Sequence, residues 1–369
     1  MRLPRIVVPA LVAVLATACG TSATPAGQAD KSTAVLVGVT MPTTSSERWI
    51  RDGENIKKAL EGQGRKVDLR YAENDIPTQA AQIDDQISKG AKLLIIASVD
   101  GKALAGQLQR AADASIPVIA YDRLIRDSPN VDFYSTFENF RVGTNEAESL
   151  LTGLGLRTAE GGPGSATGPF NIELFAGSPD DNNATFFFNG AMSVLKPLID
   201  KGTLVVKSGQ LDFATVATLR WDGAAAQLRM ADVLASTYRR GAQLHGVLSP
   251  YDGLSLGILT ALKNNGYGPN GLPYPIVTGQ DAELASIKSI IAGEQYSTIY
   301  KDTRELATNT AKMADTVLQG RTPQVNNLTD YDNGVKLVPS FLLNPVTVNK
   351  SNYEKILVES GYYTDAQFK

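Results

Sequence analysis

Charged, amide and indole side chains recur where predicted strands of this 369-residue chain end. Arg48 and Trp49 come shortly after the first predicted strand, and Asp122 and Arg123 directly follow the fourth. Further along the chain, after a second series of predicted strands, the corresponding positions are occupied by Asp181, Asn183, Trp221, Tyr251, Asp281 and Lys301. Because ligands of open α/β proteins bind beyond the carboxyl ends of the strands, we expect these side chains to surround one ligand.

The chemistry of these side chains suits a molecule with many hydroxyl groups. Carboxylates accept hydrogen bonds from hydroxyls, whereas Arg, Lys and Asn donate to them, often to two adjacent hydroxyls. Trp49 and Trp221 are the only tryptophans in the chain, and their indoles would cover the apolar C–H faces of a sugar ring. The pattern therefore favours a monosaccharide over an amino acid or a phosphate.

The composition excludes several other kinds of site. A single His and a single Cys rule out two-cysteine zinc sites, CxxC redox pairs and disulfides within the chain. The 35 basic and 38 acidic residues nearly balance, which gives no indication of a nucleic-acid partner. The glycine-rich stretch 160–169 lacks the Gly-Lys-Ser/Thr ending of a phosphate-binding loop, and the spacing around Asp330 and Asp332 does not match a calcium loop. We therefore expect neither a metal nor a cofactor, and His245 is interpreted as a packing or surface residue.

The N-terminus has the organisation of a secretory signal peptide. Basic residues within 1–5 precede an apolar run over 6–15 that is too short to span a bilayer, and small residues follow directly before Cys19. Residues 1–18 are predicted to be the signal peptide. The site resembles a lipobox, which predicts acylation of Cys19 and a flexible tether over 19–33. Ala16 lies where Leu is commoner in that motif, so an ordinary signal peptide with an incidental Cys is the alternative.

Strands alternate with helices along the rest of the chain, which predicts an α/β fold. The predicted strands cover 34–39, 67–72, 93–97 and 118–121 in a first series, and 171–175, 204–206, 246–248, 276–277 and 297–300 in a second. The predicted helices cover 49–60, 78–88, 101–114, 184–198, 224–238, 254–263, 284–292 and 306–319. Continuous apolar runs of strand length are typical of strands buried on both faces of a parallel sheet. Two such series predict two doubly wound parallel-sheet lobes rather than one barrel.

Several motifs resemble those of the periplasmic aldose-binding proteins of ABC importers, a group with the type I periplasmic binding protein fold. The motifs are Glu47-Arg-Trp49, Ala120-Tyr-Asp-Arg123, Gly177-Ser-Pro-Asp-Asp-Asn-Asn183, Gly279-Gln-Asp281 and Tyr300-Lys301. Within that family, Tyr121-Asp-Arg-Leu-Ile-Arg126, Asn171-Ile-Glu-Leu-Phe175, Leu248-Ser-Pro-Tyr-Asp-Gly253 and Ala292-Gly-Glu-Gln-Tyr296 are similar to the multiple sugar-binding receptors and xylose-binding proteins. The resemblance extends from about Val35 to Tyr363, which is nearly the whole chain after the signal peptide.

The resemblance implies a role for each candidate residue. Arg48 would supply a hydrogen-bond donor and Trp49 a stacking ring, while Asp122 and Arg123 would hold adjacent hydroxyls of the sugar. From the second lobe, Asn183 would donate a hydrogen bond, with Asp181 beside it, and Trp221 would be the second stacking ring. Asp281 and Lys301 would complete the polar rim of the site. Tyr251 occupies a position where many relatives have Asn, so the sugar preference of xylose- or ribose-binding relatives does not transfer. Glu47 and Asp252 are expected to be supporting residues.

The resemblance also implies a domain organisation, with a hinge of three chain segments. The N-terminal lobe would consist of 34–138 and 302–333, and the C-terminal lobe of 139–301 and 334–369. The three crossings would lie near Phe137–Arg141, Tyr300–Asp302 and Asp332–Val335. The lobes would close around the sugar, and Lys301, at the second crossing, would link binding to closure.

The implied function is that of a monomeric, extracytoplasmic solute-binding lipoprotein without enzymatic activity. It would deliver an aldose such as xylose, arabinose, galactose, glucose or fucose to an ABC permease, and its only contact with the membrane would be the lipid. Presentation of the bound sugar to a membrane sensor kinase is the alternative. A sugar-responsive repressor is disfavoured because 20–33 is too short for a helix-turn-helix. A glycosidase is disfavoured because Arg123 and Lys301 are expected to keep Asp122 and Asp281 ionised.

Taken singly, the same residues also have ordinary structural interpretations. Asp281 and Asn183 could cap helices, and Asp122 with Arg123 could be a surface ion pair worth less than about 1 kcal/mol. The two tryptophans could be packing residues. Capping and packing do not require all of these residues at loop positions after strands, so the combination favours a binding site.

Overall fold

The computed structural model describes residues 34–238 and 241–368. The predicted signal peptide, Cys19 and the tether lie outside the described residues. Within the described part of the chain, no helix is both long and apolar enough to cross a bilayer.

The N-terminal lobe is built on a six-stranded parallel sheet with the order β11-β5-β4-β3-β1-β2. Its strands are β1 (Leu36–Met41), β2 (Lys66–Tyr71), β3 (Leu93–Ile96), β4 (Val118–Tyr121), β5 (Phe133–Phe137) and β11 (Ser340–Leu343). Its helices are α1 (Glu47–Gly62), α2 (Ile76–Ser88), α3 (Ala105–Asp113) and α10 (Thr303–Leu318). We use "N-terminal lobe" for this set of elements.

The C-terminal lobe is built on a four-stranded parallel sheet with the order β7-β6-β8-β9, to which an antiparallel pair, β10 and β12, is joined. Its strands are β6 (Phe170–Leu174), β7 (Leu204–Val206), β8 (Gly246–Leu248), β9 (Ile276–Val277), β10 (Ser297–Tyr300) and β12 (Val346–Asn349). Its helices are α4 (Asn139–Gly153), α5 (Asn182–Asp200), α6 (Phe213–Val216), α7 (Gly223–Val233), α8 (Asp252–Asn264) and α9 (Leu284–Ala292). Single turns of 3₁₀-helix cover Leu219–Trp221 and Asp365–Gln367, and π-helical turns cover Leu234–Tyr238 and Glu354–Val358. The predicted fold, two lobes with parallel sheets, is confirmed.

Helices cover both faces of the six-stranded sheet, which explains its apolar strands. In β3, Leu93 and Ile95 belong to the apolar core shared with α1 and α10. Leu94 and Ile96 belong to the core shared with α2 and α3. Because successive side chains of a strand point to opposite faces, a strand that is covered on both sides must be apolar throughout.

The chain crosses between the lobes three times, at Glu138, at Lys301–Asp302 and at 344–345. The third crossing corrects the expected boundary at 333/334, since β11 pairs in parallel with β5 and remains in the N-terminal lobe. The preceding turn is also bound there, because the side chain of Asn333 donates to the carbonyls of Ile125 and Ser128. The chain therefore leaves this lobe only after β11 has satisfied the backbone groups on the edge of β5.

Helices α4 and α5 approach each other closely enough to require glycine. A Cβ atom at Gly143 would lie 1.9 Å from the backbone oxygen of Phe187. This contact fixes α5 against α4, the helix that directly follows the first crossing. Since α5 begins at the cleft, the close approach also positions the side chains of its first two turns.

Candidate functional site

A cavity between the two lobes brings all ten predicted site residues together. The space between the lobes measures about 530 Å³, including a part that opens to solvent. Its wall includes Arg48, Trp49, Asp122, Arg123, Asp181, Asn183, Trp221, Tyr251, Asp281 and Lys301. It also includes Thr43, Ser45, Ser46, Asn74, Phe187, Arg220 and Gln280, which were not among the predicted site residues. Phe187 was missed because it lies within α5, more than a turn beyond the loop that follows the strand.

Arg48 is the centre of the polar wall and lies in the first turn of α1. Its guanidinium contacts the carboxylates of Asp52 (3.0 Å), Asp122 and Asp281 (3.4 Å). Asp281 belongs to the C-terminal lobe, so Arg48 joins the two lobes at the wall of the cavity. Burial by itself raises the pKa of Asp122, but Arg48 and Lys301 outweigh it and hold the pKa of this carboxyl below its ordinary value.

Lys301 lies at the second crossing and faces the cavity from the C-terminal side. It is 2% exposed, and its Nζ lies 2.9 Å from Oδ1 of Asp281. The ring centres of Phe187 and Phe137 are 5.6 and 5.8 Å from the same nitrogen. The ammonium group is therefore held in place by a carboxylate and two aromatic rings, with its remaining hydrogens available as donors.

Arg123 pairs with Asp181 across the cleft, which corrects the partner expected from the sequence. Its Nε lies 3.0 Å from Oδ2 of Asp181, and its guanidinium also donates to the carbonyls of Ser98 and Val99. Asp181 caps α5 by accepting from the N–H of Asn183, and it accepts from the indole N–H of Trp221 at 3.3 Å. Burial raises the pKa of Asp181, and Arg123 opposes that rise.

The amide of Asn183 connects the lobes through the end of β4. Its Nδ2 donates to the carbonyl of Asp122 (2.7 Å), and its Oδ1 accepts from Tyr134 (3.0 Å) and Asn139 (2.9 Å). The resemblance implied that this side chain donates to the sugar. Only one of its two amide hydrogens is left for a ligand, so most of its bonding capacity fixes the closed arrangement.

The two tryptophans line the cavity from opposite lobes. The guanidinium carbons of Arg48 and Arg123 lie 4.8 and 5.0 Å from the ring centre of Trp49. Trp221 meets Phe187 and Tyr251 edge-on, with centroid distances of 6.2 and 6.0 Å. The Trp221 indole rests directly on Gly177, where a Cβ atom would come within 1.9 Å of the ring. Each lobe therefore contributes one indole to the wall of the cavity.

Tyr251 and the two expected supporting residues bond within the protein. The hydroxyl of Tyr251 donates to Glu283 (2.8 Å), so that donor is already engaged. Glu47 pairs with Arg51 at 2.5 Å. Asp252 is fully buried and accepts from the backbone N–H of Glu283 and from the side chains of Gln295 and Thr298. Glu47 and Asp252 therefore do not line the cavity, and each bonds to a residue that also lies outside its wall.

The two other kinds of site considered in the sequence were a role for His245 and a metal site. Nδ1 of His245 accepts the backbone N–H of Asn171 at 2.9 Å, and its ring packs edge-on against Phe170. Over 34–238 and 241–368, no group of three or more His, Cys, Asp or Glu residues is placed to hold a metal ion.

Comparison with known proteins gives the same fold and a consistent set of relatives. Residues 37–322 match the family described as "Periplasmic binding protein domain". The chain is 58% identical to the multiple sugar-binding periplasmic receptor ChvE of Rhizobium radiobacter, over 94% of each chain. It is 31% identical to the D-xylose-binding periplasmic protein of Escherichia coli, over 90% of this chain and 92% of the relative.

A solved structure resembles the whole two-lobe arrangement. It is an ABC transporter solute-binding protein from Clostridium phytofermentans with bound β-D-glucose. The two structures superpose with a TM-score of 0.85 at 47% sequence identity, over 90% of this chain and all of the other.

Proposed function

The chain belongs to the periplasmic binding protein family, and from that membership we propose that it captures a neutral aldose between its lobes and delivers it to an ABC importer. As a member of this family it is an exported, sugar-binding receptor and not an enzyme. The proposed ligands are aldoses such as xylose, arabinose, galactose, glucose and fucose. The proposed ligand-binding residues are the ten predicted ones that line the cavity.

The observation that supports this proposal is the combination of paired charges and two indoles, one from each lobe, around a single cavity. Arg48 is paired with Asp122, and Lys301 with Asp281, without any contact between the lobes, so these donors and acceptors are fixed before a ligand arrives. Fixed donors and acceptors discriminate between sugars, because a hydroxyl in the wrong orientation leaves a buried partner unpaired at about 1–3 kcal/mol. Since each of these charges has an opposite charge beside it, the wall suits a neutral ligand.

Thermal unfolding with a panel of pentoses, hexoses and uronic acids tests the ligand class. At about a hundred times its dissociation constant, a ligand adds about 2.7 kcal/mol, so Tm should rise by several degrees with neutral aldoses. Asp281→Asn should lose this rise, because the carboxylate that holds Lys301 is neutralised. Asp232→Asn, at an exposed position on α7, is the matched control and should keep it. Unchanged Tm with every sugar would refute the assignment.

Membrane attachment and delivery are part of the same proposal, supported by the sequence around Cys19 and by the family. We expect a strain without this chain to lose uptake of the labelled sugar, and the wild-type gene to restore it. The Cys19→Ala chain should move from the membrane to the soluble fraction, since it has no acylation site. Normal uptake in the deletion strain would argue for the sensing alternative, and an unchanged distribution of Cys19→Ala would exclude the lipid anchor.

A further inference from the structure

One edge of the cleft contains a contact between the lobes that lies outside the cavity. Glu283, which directly precedes α9, accepts hydrogen bonds at Oε1 from Ser46 of the N-terminal lobe (2.9 Å) and from Tyr251 of its own lobe (2.8 Å). Ser46 and Tyr251 line the cavity, whereas Glu283 does not. A single carboxylate oxygen therefore links the start of α1 to a cavity residue of the other lobe.

A second contact joins the same two segments. The guanidinium carbon of Arg51, one turn further along α1, lies 4.5 Å from the ring centre of Tyr363 and 5.0 Å from that of Tyr362. The hydroxyl of Tyr363 donates to the carbonyl of Ala282, the residue before Glu283, at 2.9 Å. Helix α1 is thus attached to 282–283 both directly and through the aromatic residues near the C-terminus.

The interior of the C-terminal lobe sets the position of Glu283. Its backbone N–H donates to Oδ2 of Asp252 at 2.8 Å. Asp252 is fully buried and is itself fixed by Gln295 and Thr298, each at 3.0 Å. These contacts lie within one lobe, so they keep Glu283 in position to accept the hydrogen bond from Ser46 when the two lobes close.

We propose that Glu283 is a positioning residue for sugar capture, which stabilises the closed form by fastening the start of α1 to the C-terminal lobe. This inference rests on the sugar-binding function proposed above. The apparent affinity of a two-state receptor is proportional to the fraction in the competent form. A contact outside the cavity therefore changes the affinity for every sugar by one common factor, whereas a residue that touches the sugar changes the ranking of sugars.

The test compares dissociation constants of the wild type, Glu283→Ala and Glu283→Gln for several aldoses. Tryptophan fluorescence is the readout, because Trp49 and Trp221 line the cavity from opposite lobes. Glu283→Ala should raise every dissociation constant by about tenfold to a hundredfold with the order of sugars unchanged. Glu283→Gln should return them to within about threefold of wild type, since its amide oxygen accepts both bonds. Glu305→Ala, exposed on α10, is the matched control.

Unchanged dissociation constants in Glu283→Ala, or a changed order of sugars, would overturn the inference. Failure of the proposed function is a separate result, in which no sugar changes the fluorescence or the Tm of the wild type. In that event, small-angle scattering of the sugar-free proteins tests whether Glu283 stabilises the closed form. A larger radius of gyration for Glu283→Ala than for wild type supports the role of Glu283 in closure, and equal radii overturn it.

Discussion

Arg48 and Lys301 supply two positive charges to a buried cluster that contains three carboxyl groups, those of Asp52, Asp122 and Asp281. Protonation of Asp52 offsets the excess of one negative charge. Burial raises its pKa to about 7, against the opposing effect of Arg48 and with a further contribution from Asp122. Its other oxygen accepts from the hydroxyl of Tyr121, which is equally buried. The cluster is therefore close to neutral below pH 7.

The titration of Asp52 predicts a pH dependence of stability. Its pKa is about 7 in the folded chain, against an ordinary value of about 3.9 in the unfolded one. Between these values the folded state binds a proton that the unfolded state does not. The free energy of unfolding should therefore fall as pH rises from about 4 to about 7, by at most about 1.4 kcal/mol per pH unit.

Urea unfolding of the wild type and Asp52→Asn at several pH values isolates this contribution. The stability of the wild type relative to the variant should decrease from pH 5 to pH 7 and level off above pH 8. All other titrating groups are common to the two proteins, so their contributions cancel in the difference between the two free energies of unfolding. A difference that does not change with pH would show that Asp52 is ionised throughout.

Residue types at strand ends were predictable from the sequence, whereas their partners were not. All ten candidates line the cavity, because parallel strands bring their carboxyl ends to one edge. Arg123 nevertheless pairs with Asp181 and not with its neighbour Asp122, and Asn183 bonds to a backbone carbonyl of the other lobe. Both outcomes depend on how the two lobes meet, which local spacing does not encode.

At the scale of the elements, the segments that carry site residues into the cavity hold backbone strain. Asp122, Trp221 and Asp281 have φ values of 58°, 56° and 91°, in the left-handed region that residues other than glycine seldom adopt. Each such residue costs on the order of 1–3 kcal/mol. The surrounding contacts offset this cost. For example, the N–H of Arg220, which also has positive φ, donates to Ser178 at 2.8 Å.

The buried strands were the most predictable elements and those of mixed composition the least. The predicted bounds of β4, β7, β8, β9 and β10 match the structure because each is a short apolar or β-branched run. The strand β5 was not predicted, since Ser135 and Thr136 interrupt its apolar pattern. Both are buried, and their hydroxyls are bonded to Thr310 and to the carbonyl of Asp122. Tertiary partners that make a polar strand stable are invisible to periodicity.

At the scale of the whole molecule, contacts between the lobes lie at the centre and at both edges of the cleft. Arg48 and Asp281 meet at the centre, and Glu283 lies at one edge. At the other edge, Arg220 donates to the carbonyl of Val99 at 3.0 Å. Because these contacts hold the two lobes together around the cavity, we interpret the structure as the closed form. A ligand that bonds to both walls shifts the population toward this form by its differential affinity for it.

Closure predicts a change in molecular dimensions when sugar binds. A compact chain of this length has a radius of gyration of about 20 Å, which the sugar-saturated protein should approach, while the sugar-free protein should exceed it. Small-angle scattering with and without a sugar that raises Tm measures this difference, and a sugar that leaves Tm unchanged is the control. The three crossings are short, which allows rotation of the lobes while each sheet stays intact. Equal radii, with binding demonstrated by fluorescence in the same samples, would mean that the closed form is already dominant without sugar. Selectivity would then arise from the fixed cavity wall and not from closure.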